Sequence, residues 1–417
     1  MNTWLLPAGI NESLPDEAEK LEALRRHIVD LYATWGYRLV MPPLVEYMES
    51  LKAGIGTQLD LQTFKITDQE NGRMMGIRAD ITPQVARIDA HRLSNNTPSN
   101  TTASENTSSK NTTINRLCYI GTVLRTRSDE QGGSRSPVQV GAELFGHAGI
   151  ESDSEIISLM LETLDSLDIK DLVLDLGHVG LASGLADYAQ LDDSQKAHYF
   201  DMLSRKSIPE IETWVTQLDL PSAAADMLLA LPMLSGSPDI IDTAKTSLKN
   251  AGKMVLDALD HLQKISRLLS KCFTGLTLHI DLAEMRGYAY HTGIMYTVYQ
   301  TGRAASIAQG GRYDGIGKAF GNSRPAIGFS SDLRTLANLS FGTTQLINSL
   351  AVNGILIPNI QDQALEQHIK ELRAQGEQVI RYLGKTQELE LSAEQLKSYG
   401  CNRVLHQQND VWVVKQG

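Results

Sequence analysis

Two blocks of strand-like sequence, residues 114–146 and 276–330, lie on either side of a long stretch whose pattern is mainly helical. Glycines interrupt both blocks, and strand-like alternation is clearest at 276–282 and 294–299. Between the blocks, prolines mark short turns within residues 152–260, and we expect 178–260 to form a mainly helical insertion. Strands and helices segregated in this way predict an α+β fold.

Length and composition limit the class of protein. A chain of 417 residues can hold two or three domains, and 42% apolar with 21% charged residues is ordinary for a globular protein. The net charge of −11 removes the simplest argument for nucleic-acid binding, a basic surface that attracts phosphate. The chain shows no signal-peptide pattern, no apolar run of membrane-spanning length and no zinc-binding cysteine pattern. We therefore expect a cytoplasmic protein without a structural metal or a membrane contact.

The first predicted element is a helix between Pro15 and Gly36. Acidic residues occupy its first turn, where the helix dipole favours them. Apolar side chains recur along it every three or four residues: Leu21, Leu24, Ile28, Leu31 and Trp35. Residues 37–48 follow as an extended segment interrupted by a proline pair, which suits a strand at a sheet edge or an interface.

Residues 94–113 are mostly serine, threonine and asparagine. Such a segment buries too little apolar surface to offset the entropy of ordering, so we predict a disordered insertion loop. Its Asn-Xaa-Ser/Thr triplets resemble glycosylation acceptors, but a chain without a secretory signal should not be glycosylated.

The C-terminal part predicts a separate small domain at 350–417, following a larger unit at 1–340. Its pattern reads as βαβαββ, and Ser392 with Gln395 predicts a capping box for the second helix. Acidic and basic residues are nearly balanced in this tail, so it has no basic surface by count.

Five segments place arginine, carboxylate or aromatic side chains beside glycines, which permit close approach of the backbone. They are residues 78–84, 119–125 with 139–143, 286–293, 310–314 and 325–329. Each alone is a weak signal. On one strand, Gln139 and Glu143 would point to the same face and could grip a polar ligand, although a solvated outer face explains the same pattern.

Taken in order, these segments resemble the histidyl-tRNA synthetases over about residues 5–340. The sequence Arg-Gly-Tyr-Ala-Tyr-His at 286–291 is similar to the Arg-Gly-Leu-Asp-Tyr-Tyr of the synthetases, and Gly-Gly-Arg-Tyr-Asp-Gly at 310–315 is shared outright. The resemblance implies a class II aminoacyl-tRNA synthetase-like antiparallel sheet flanked by helices, with the helical insertion and the small C-terminal α/β domain added. It also implies a dimer formed through the proline-containing strand.

Several positions depart from the ATP site of the synthetases. Arg127 stands where a glutamate helps to hold ATP, Pro137 where a phenylalanine stacks on adenine, and Thr335 where an arginine binds the phosphates. Asp332 would repel phosphates, and Arg334 would point about 100° away from Thr335 on a helix. The resemblance therefore implies a lost ATP site beside a retained amino-acid pocket.

This pattern is similar, over the whole chain, to the synthetase paralogues that serve as regulatory subunits of ATP phosphoribosyltransferase. The resemblance implies a non-catalytic subunit that is required for the first step of histidine biosynthesis and mediates feedback inhibition by L-histidine. It implies a short-form catalytic subunit as partner in a hetero-octamer, self-association as a dimer, no cofactor and no tRNA. The alternatives are an active histidyl-tRNA synthetase, an amino-acid-binding paralogue with another partner, and a relic pocket that binds nothing.

The resemblance also implies a histidine-binding site and no catalytic residue. Asp80 would receive the ammonium group, Arg125 and Gln139 the carboxylate, and Glu143 a ring N–H, with the other ring nitrogen near Tyr290 and His291 and with Arg286 serving only for binding.

Overall fold

The computed structural model divides the chain into two compact units, Met1–Phe341 and Gly342–Gly417. It describes residues 4–52, 57–93, 113–128, 133–287, 290–321, 323–340, 353–360, 362–384, 391–409 and 411–416. The loop expected at 94–113 lies outside the described residues, apart from Thr113. Among the described helices, none combines the length and the apolarity needed to cross a membrane.

The first unit contains twelve strands among its described residues. They are β1 (Arg38–Leu39), β2 (Val45–Tyr47), β3 (Phe64–Thr67), β4 (Met74–Ile77), β5 (Asn115–Thr122), β6 (Val138–Phe145), β7 (Leu172–His178), β8 (Ser235–Gly236), β9 (Thr277–Asp281), β10 (Ile294–Gln300), β11 (Ala308–Arg312) and β12 (Ala326–Asp332). Nine strands form one sheet in the order β1-β5-β6-β12-β11-β10-β7-β9-β8, and the other three form a small sheet, β2-β4-β3.

Helices of the same unit lie before, between and after these strands. They are α1 (Pro15–Thr34), α2 (Met48–Lys52), α3 (Thr57–Gln62), α4 (Thr82–Ile88), α5 (Ile150–Ser166), α6 (Val179–Tyr188), α7 (Asp193–Ser204), α8 (Ile208–Thr216), α9 (Ser222–Ala230), α10 (Ile240–Ser247), α11 (Lys253–Cys272) and α12 (Leu333–Leu339).

The main apolar core covers one face of the large sheet, and a smaller apolar cluster that includes Leu117 and Phe145 lies on the other. In β6, Val140, Ala142 and Leu144 belong to the main apolar core, to which α1, α5 and α11 contribute buried side chains. Side chains alternate along a strand, so Gln139 and Glu143 lie on the opposite face. Strand pairs are antiparallel except β1 with β5 and β7 with β9. The expected antiparallel sheet flanked by helices is thus confirmed, with a parallel pair near each end.

Helix α1 follows its sequence signals closely. Leu24, Ile28 and Tyr32 are its buried residues, and burying a leucine or isoleucine side chain stabilises the fold by about 1.5–3 kcal/mol. Leu31 and Trp35 of the predicted stripe are only partly buried, because Tyr32 takes the deeper position. Gly36, with φ of 79°, follows the end of the helix.

The prediction of a mainly helical 152–260 misses β7. Leu174 and Leu176 are buried and alternate with partly exposed Val173 and Asp175, which is the period of a strand. The strand is stabilised between β10, which is antiparallel to it, and β9, which is parallel. Both partner strands are far away in the sequence. The local sequence pattern alone therefore led to the prediction of a helix where the structure has strand β7.

The extended segment 37–48 forms two separate strands. Its first part, β1, pairs with β5 as the edge strand of the large sheet, as expected, and its last part, β2, joins the small sheet. The side chains of Leu39, Met41 and Leu44 are exposed around the proline pair.

The second unit forms its own four-stranded sheet, in the order β14-β13-β15-β16. Its elements are β13 (Gly354–Ile357), α13 (Gln363–Ala374), β14 (Val379–Arg381), α14 (Ala393–Ser398), β15 (Cys401–Gln408) and β16 (Val411–Gln416). The capping box of Ser392 and Gln395 is present at the start of α14. The expected small α/β domain is confirmed.

Candidate functional site

Three glycines on neighbouring strands form the floor of a cluster of polar side chains, the candidate pocket, on the face of the sheet that carries Glu143. Gly328 of β12 lies directly beside Glu143 of β6 and Gly311 of β11. A Cβ atom would lie 1.5 Å from Oε2 of Glu143 if added at Gly328, and 2.9 Å from Nε2 of His291 if added at Gly311. At Gly141 it would lie 2.5 Å from the hydroxyl of Tyr119. Only glycine lets these functional atoms approach the backbone so closely.

Glu143 is the central buried group of the site, with only 1% of its surface exposed. The hydroxyl of Tyr119 donates to Oε1 at 3.2 Å, and that of Tyr313 donates to Oε2. Burial raises the pKa of Glu143 to about 8, against the lowering effect of the hydrogen bond from Tyr313. Burial also raises the pKa values of both tyrosines well above the ordinary value, so both hydroxyls remain donors.

Asp80 and Gln139 form a second polar group next to Glu143. The side-chain amide of Gln139 donates to Oδ1 of Asp80 at 2.7 Å and accepts from the backbone N–H of Ile81 at 2.9 Å. The N–H of Thr82 also donates to Oδ1 of Asp80 at 3.0 Å. These bonds tie the start of α4 to β6 and fix the carboxylate at the rim of the pocket.

Arg125 reaches the same group through the backbone. Its Nε donates to the carbonyl of Ala79 at 3.2 Å, and its own carbonyl accepts from Nε of Arg135 at 3.1 Å. Arg135 in turn donates to the carbonyl of Ala8 at 3.2 Å. Arginine side chains therefore line the rim beside Asp80.

The turn that begins at Gly287 carries Tyr290 and His291 toward the pocket. Gly287 has φ of 67°, and its carbonyl accepts from the N–H groups of both residues at 3.1 Å. The two rings lie 4.3 Å apart. Desolvation, followed by the charges of Asp80 and Glu143, raises the pKa of Tyr290. Burial lowers the pKa of His291 to about 4, so its ring is neutral.

Arg286 does not join this group. Its Nε and Nη2 donate to Oε2 of Glu284 at 3.0 and 2.5 Å, and Nη1 donates to the hydroxyl of Tyr299. Nη2 lies 3.7 Å from Asp175. Arg286, which was expected to approach the ligand, is thus paired with Glu284 and lies near Asp175.

Asp175, Asp281 and Glu284 bring carboxylate oxygens within 4.8 Å of one another. Such a group could hold a cation, but each carboxylate already has a basic partner. Lys206 bonds to Asp281, Arg286 to Glu284, and Nδ1 of His279 lies 2.9 Å from Oδ1 of Asp175. The carboxylates of this cluster therefore already have basic side chains as partners.

The start of α12 is closed by local bonds. Asp332 accepts from the N–H of Thr335 at 3.2 Å, from its hydroxyl at 3.0 Å and from the N–H of Val138 at 3.0 Å. Arg334 donates to Glu17 of α1 at 2.7 Å. Asp332 caps the helix, and Arg334 is held against α1.

Six of the seven residues expected at the site therefore lie in or around one pocket, and Arg286 is turned to Glu284. Sequence reasoning did not assign Tyr119 and Tyr313, which bond directly to Glu143. Both lie in segments with the glycine-rich signal, 119–125 and 310–314, and Tyr119 stands opposite Gly141 in the ladder. Gly141 is therefore the sequence feature that could have indicated a functional role for Tyr119.

Comparisons with known proteins agree over nearly the full length. Residues 9–336 match the family model described as Histidyl-tRNA synthetase, and residues 352–415 match the ATP phosphoribosyltransferase subunit HisZ C-terminal domain. The ATP phosphoribosyltransferase regulatory subunit of Thioalkalivibrio sulfidiphilus (strain HL-EbGR7) is 48% identical over 97% of this chain and 96% of its own. That of Pseudomonas entomophila (strain L48) is 45% identical over 99% of this chain and 98% of its own.

Two solved structures share the fold. One, titled as an ATP phosphoribosyltransferase regulatory subunit/histidyl-tRNA synthetase from Bacillus halodurans C, has a TM-score of 0.76 at 23% identity and covers 95% of this chain and 97% of its own. The histidyl-tRNA synthetase from Nostoc sp. PCC 7120 has a TM-score of 0.72 at 18% identity and covers 97% and 92%. At these identities the likeness supports the class II synthetase fold alone.

Proposed function

The chain belongs to the family of ATP phosphoribosyltransferase regulatory subunits, and from that premise we propose that it senses L-histidine for a separate catalytic subunit. The observation that carries the proposal is the buried carboxyl of Glu143 above a glycine floor, flanked by Asp80 and Gln139. A buried polar group of this kind is costly unless a ligand or water completes its hydrogen bonds. An amino acid with a polar ring would complete them.

Each end of histidine has a complementary group. Glu143 would bind a ring N–H, and Tyr290 and His291 would lie at the other ring nitrogen. Asp80 would take the ammonium group, with Arg125 and Gln139 near the carboxylate, where arginine forms strong charge-assisted hydrogen bonds. Arg286 would reach the ligand only by exchanging Glu284 for the ligand carboxylate.

The bonds at α12 favour a regulatory role over the alternative, an active histidyl-tRNA synthetase. Asp332 presents a carboxylate at the helix start, and Arg334 is engaged with Glu17. A phosphate chain there would meet a negative charge and no arginine from this helix. We therefore propose that the chain binds histidine without activating it and that catalysis belongs to the partner.

Self-association would use the segment 37–48. The side chain of Met41 is 77% exposed, and Leu39 and Leu44 are exposed beside it. Apolar side chains exposed on and after an edge strand suit a two-fold interface with a second copy. We propose that such a dimer assembles with short-form catalytic subunits into a hetero-octamer, in which bound histidine inhibits the first step of histidine biosynthesis.

Calorimetric titration of the purified chain with L-histidine, in the absence of ATP, tests the binding proposal. Binding should saturate, and Glu143→Ala should weaken it about 10- to 150-fold, the loss of a charge-assisted hydrogen bond of about 1.5–3 kcal/mol. Glu377→Ala, a change in the second unit, serves as the matched control and should bind normally. Unchanged affinity in Glu143→Ala would move the site elsewhere.

Histidine-dependent exchange of pyrophosphate into ATP separates the two functions. The proposal expects no exchange by this chain alone. A clear rate would establish the synthetase alternative in its place.

A further inference from the structure

Among the described residues, the hydrogen-bond partners of the Glu143 carboxyl are the hydroxyl groups of Tyr119, Tyr313 and Thr82. Tyr119 and Tyr313 donate to its two oxygens. No lysine, arginine or histidine among the described residues forms an ion pair with it, whereas the buried Asp89 and Asp153 are paired with Arg324 and Arg312. Buried carboxylates are ordinarily paired with a cation. At Glu143 the described part of the chain supplies none.

Among the described residues, the groups that change the pKa of Glu143 include no cation, although Arg125 lies at the rim beside Asp80. The titratable groups that interact with Glu143 through charge or hydrogen bonds are Tyr119 on β5, Asp80 before α4, Tyr313 after β11, Tyr296 on β10, Tyr37 before β1 and Tyr290 in the turn after Gly287. All are neutral or negative near neutral pH. A cation entering the pocket would therefore meet attraction and no repulsion from this set.

The second ring nitrogen of a bound histidine would also find a hydrogen-bond acceptor nearby. Nδ1 of His291 is buried and has no hydrogen-bond partner of acceptable geometry among the described residues. Its Nε2 lies over Gly311, the strand neighbour of Gly328, over which Glu143 lies. An imidazole that keeps its proton on Nε2 offers Nδ1 as an acceptor. The ring of His291 also interacts with the backbone of Arg286. With the proton on Nε2, His291 adds a second acceptor to Glu143, and an imidazolium ring has two N–H donors.

We infer that this pocket takes the histidine side chain as the imidazolium cation, with both ring nitrogens protonated, held by the ionised carboxylate of Glu143. The inference rests on the proposed function, because it concerns the ligand form at that same site. The proton moves from the carboxyl of Glu143 to the ligand ring on binding, so that one O–H bond breaks and one N–H bond forms. No further reactant is needed.

The energetics allow this transfer. In the free protein the carboxyl has a pKa of about 8 and is mostly protonated at neutral pH. An adjacent positive charge lowers a carboxyl pKa by roughly 1 to 3, here to about 5–7, a range that includes the ordinary imidazole value near 6.5. A lowering of more than about 1.5 makes the charged pair more stable than the neutral one.

Nitrogen NMR of ring-labelled L-histidine bound to the full-length protein tests the inference directly. At about pH 8, free histidine is a neutral imidazole with two widely separated ring nitrogen shifts. The bound ligand should instead show two similar shifts, as an imidazolium does. Bound histidine with the neutral pattern would overturn the inference while leaving histidine binding intact.

Calorimetry in buffers of different ionisation enthalpy counts the protons that the ring and the carboxyl of Glu143 hold together, and the NMR shifts then show which of the two carries the shared proton. Between the pKa values of free imidazole and of Glu143, the pair holds one proton before and after binding, so net exchange should be near zero. At pH values above that interval, binding should take up close to one proton per ligand. At pH values below it, binding should release close to one proton per ligand. Proton release throughout the neutral range would mean that a neutral ring binds the carboxylate.

Glu143→Gln serves as the variant, because it keeps the side-chain shape and removes the charge. It should lose the imidazolium shifts and most of the proton uptake, whereas Glu377→Gln in the second unit should keep both. If Glu143→Gln does not fold, the wild-type spectrum still decides the matter. If wild-type protein gives no binding heat and no bound spectrum, the proposed function fails as well, which is a different outcome from binding of the neutral ring.

Discussion

Gly328→Ala places one methyl group at the most crowded point of the pocket. The added Cβ would lie 1.5 Å from Oε2 of Glu143 and 2.7 Å from the carbonyl oxygen of Ala142. The carbonyl belongs to the backbone of β6, which pairs with β12 over seven residue pairs, so it cannot retreat without disturbing the ladder. The carboxyl of Glu143 must move instead, away from Tyr313.

The size of the effect follows from these contacts. Moving the carboxyl removes charge-assisted hydrogen bonding worth about 1.5–3 kcal/mol, so histidine affinity should fall about 10- to 150-fold. Inserting a methyl group into a packed interior costs about 1–3 kcal/mol of folding stability as well. Both losses should appear together, because one displacement causes them.

Titration calorimetry and urea denaturation measure the two losses. Gly315→Ala is the matched control, since nothing lies within 4 Å of its added Cβ and its φ of −82° suits any residue. It should bind histidine normally and lose little stability. Wild-type affinity in Gly328→Ala would refute the assignment of the ligand to the glycine floor.

Four further predictions concern separate parts of the chain. Asp80→Ala should abolish feedback inhibition of the assembled enzyme while leaving its activity without histidine intact, as measured by initial rates. Arg312→Met should lower the free energy of unfolding by about 3–5 kcal/mol, because Asp153 is then buried without its arginine. Between about pH 4.5 and 8, the folded state binds the proton of Glu143 more tightly than the unfolded state, so the free energy of unfolding should fall as the pH rises. Urea denaturation at several pH values should show a smaller fall for Glu143→Gln. Met41→Glu should shift the protein from dimer to monomer in light scattering.

Each of these has a contrary result. Inhibition of the Asp80→Ala complex at the wild-type histidine concentration would separate this pocket from regulation. Near-wild-type stability of Arg312→Met would show that water replaces the guanidinium. An unchanged pH profile in Glu143→Gln would mean that other groups set it, and a dimeric Met41→Glu would place the interface elsewhere.

Much of the fold was readable from local pattern. Helix α1, the strands β5, β6, β9 and β10, and the elements of the tail follow from apolar periodicity, turn residues and caps that act over a few residues. The positions of Gln139 and Glu143 on one face also followed from the sequence, because the strand period of two requires it once the strand is known.

The pairing of strands that are far apart in the chain could not be predicted from the sequence. Residues 172–178 form strand β7 because β10 and β9 lie beside it. Tyr313, which follows β11, bonds to Glu143 of β6 because only β12 lies between these two strands in the sheet. Arg286 was expected at the ligand, yet Glu284, two residues earlier, holds it. Local sequence specifies what each segment can form, whereas hydrogen-bond partners are chosen by the packing of the whole sheet.

The sequence by itself therefore determined the α+β class, the main elements and the residue types of the pocket, since these depend on periodicity and on resemblance along the chain. Only the tertiary structure decided that Glu143 is buried between two tyrosines over Gly328, with no ion-pair partner among the residues that the structure describes. The environment of a buried charge depends on groups far apart in the chain, and its pKa depends on that environment.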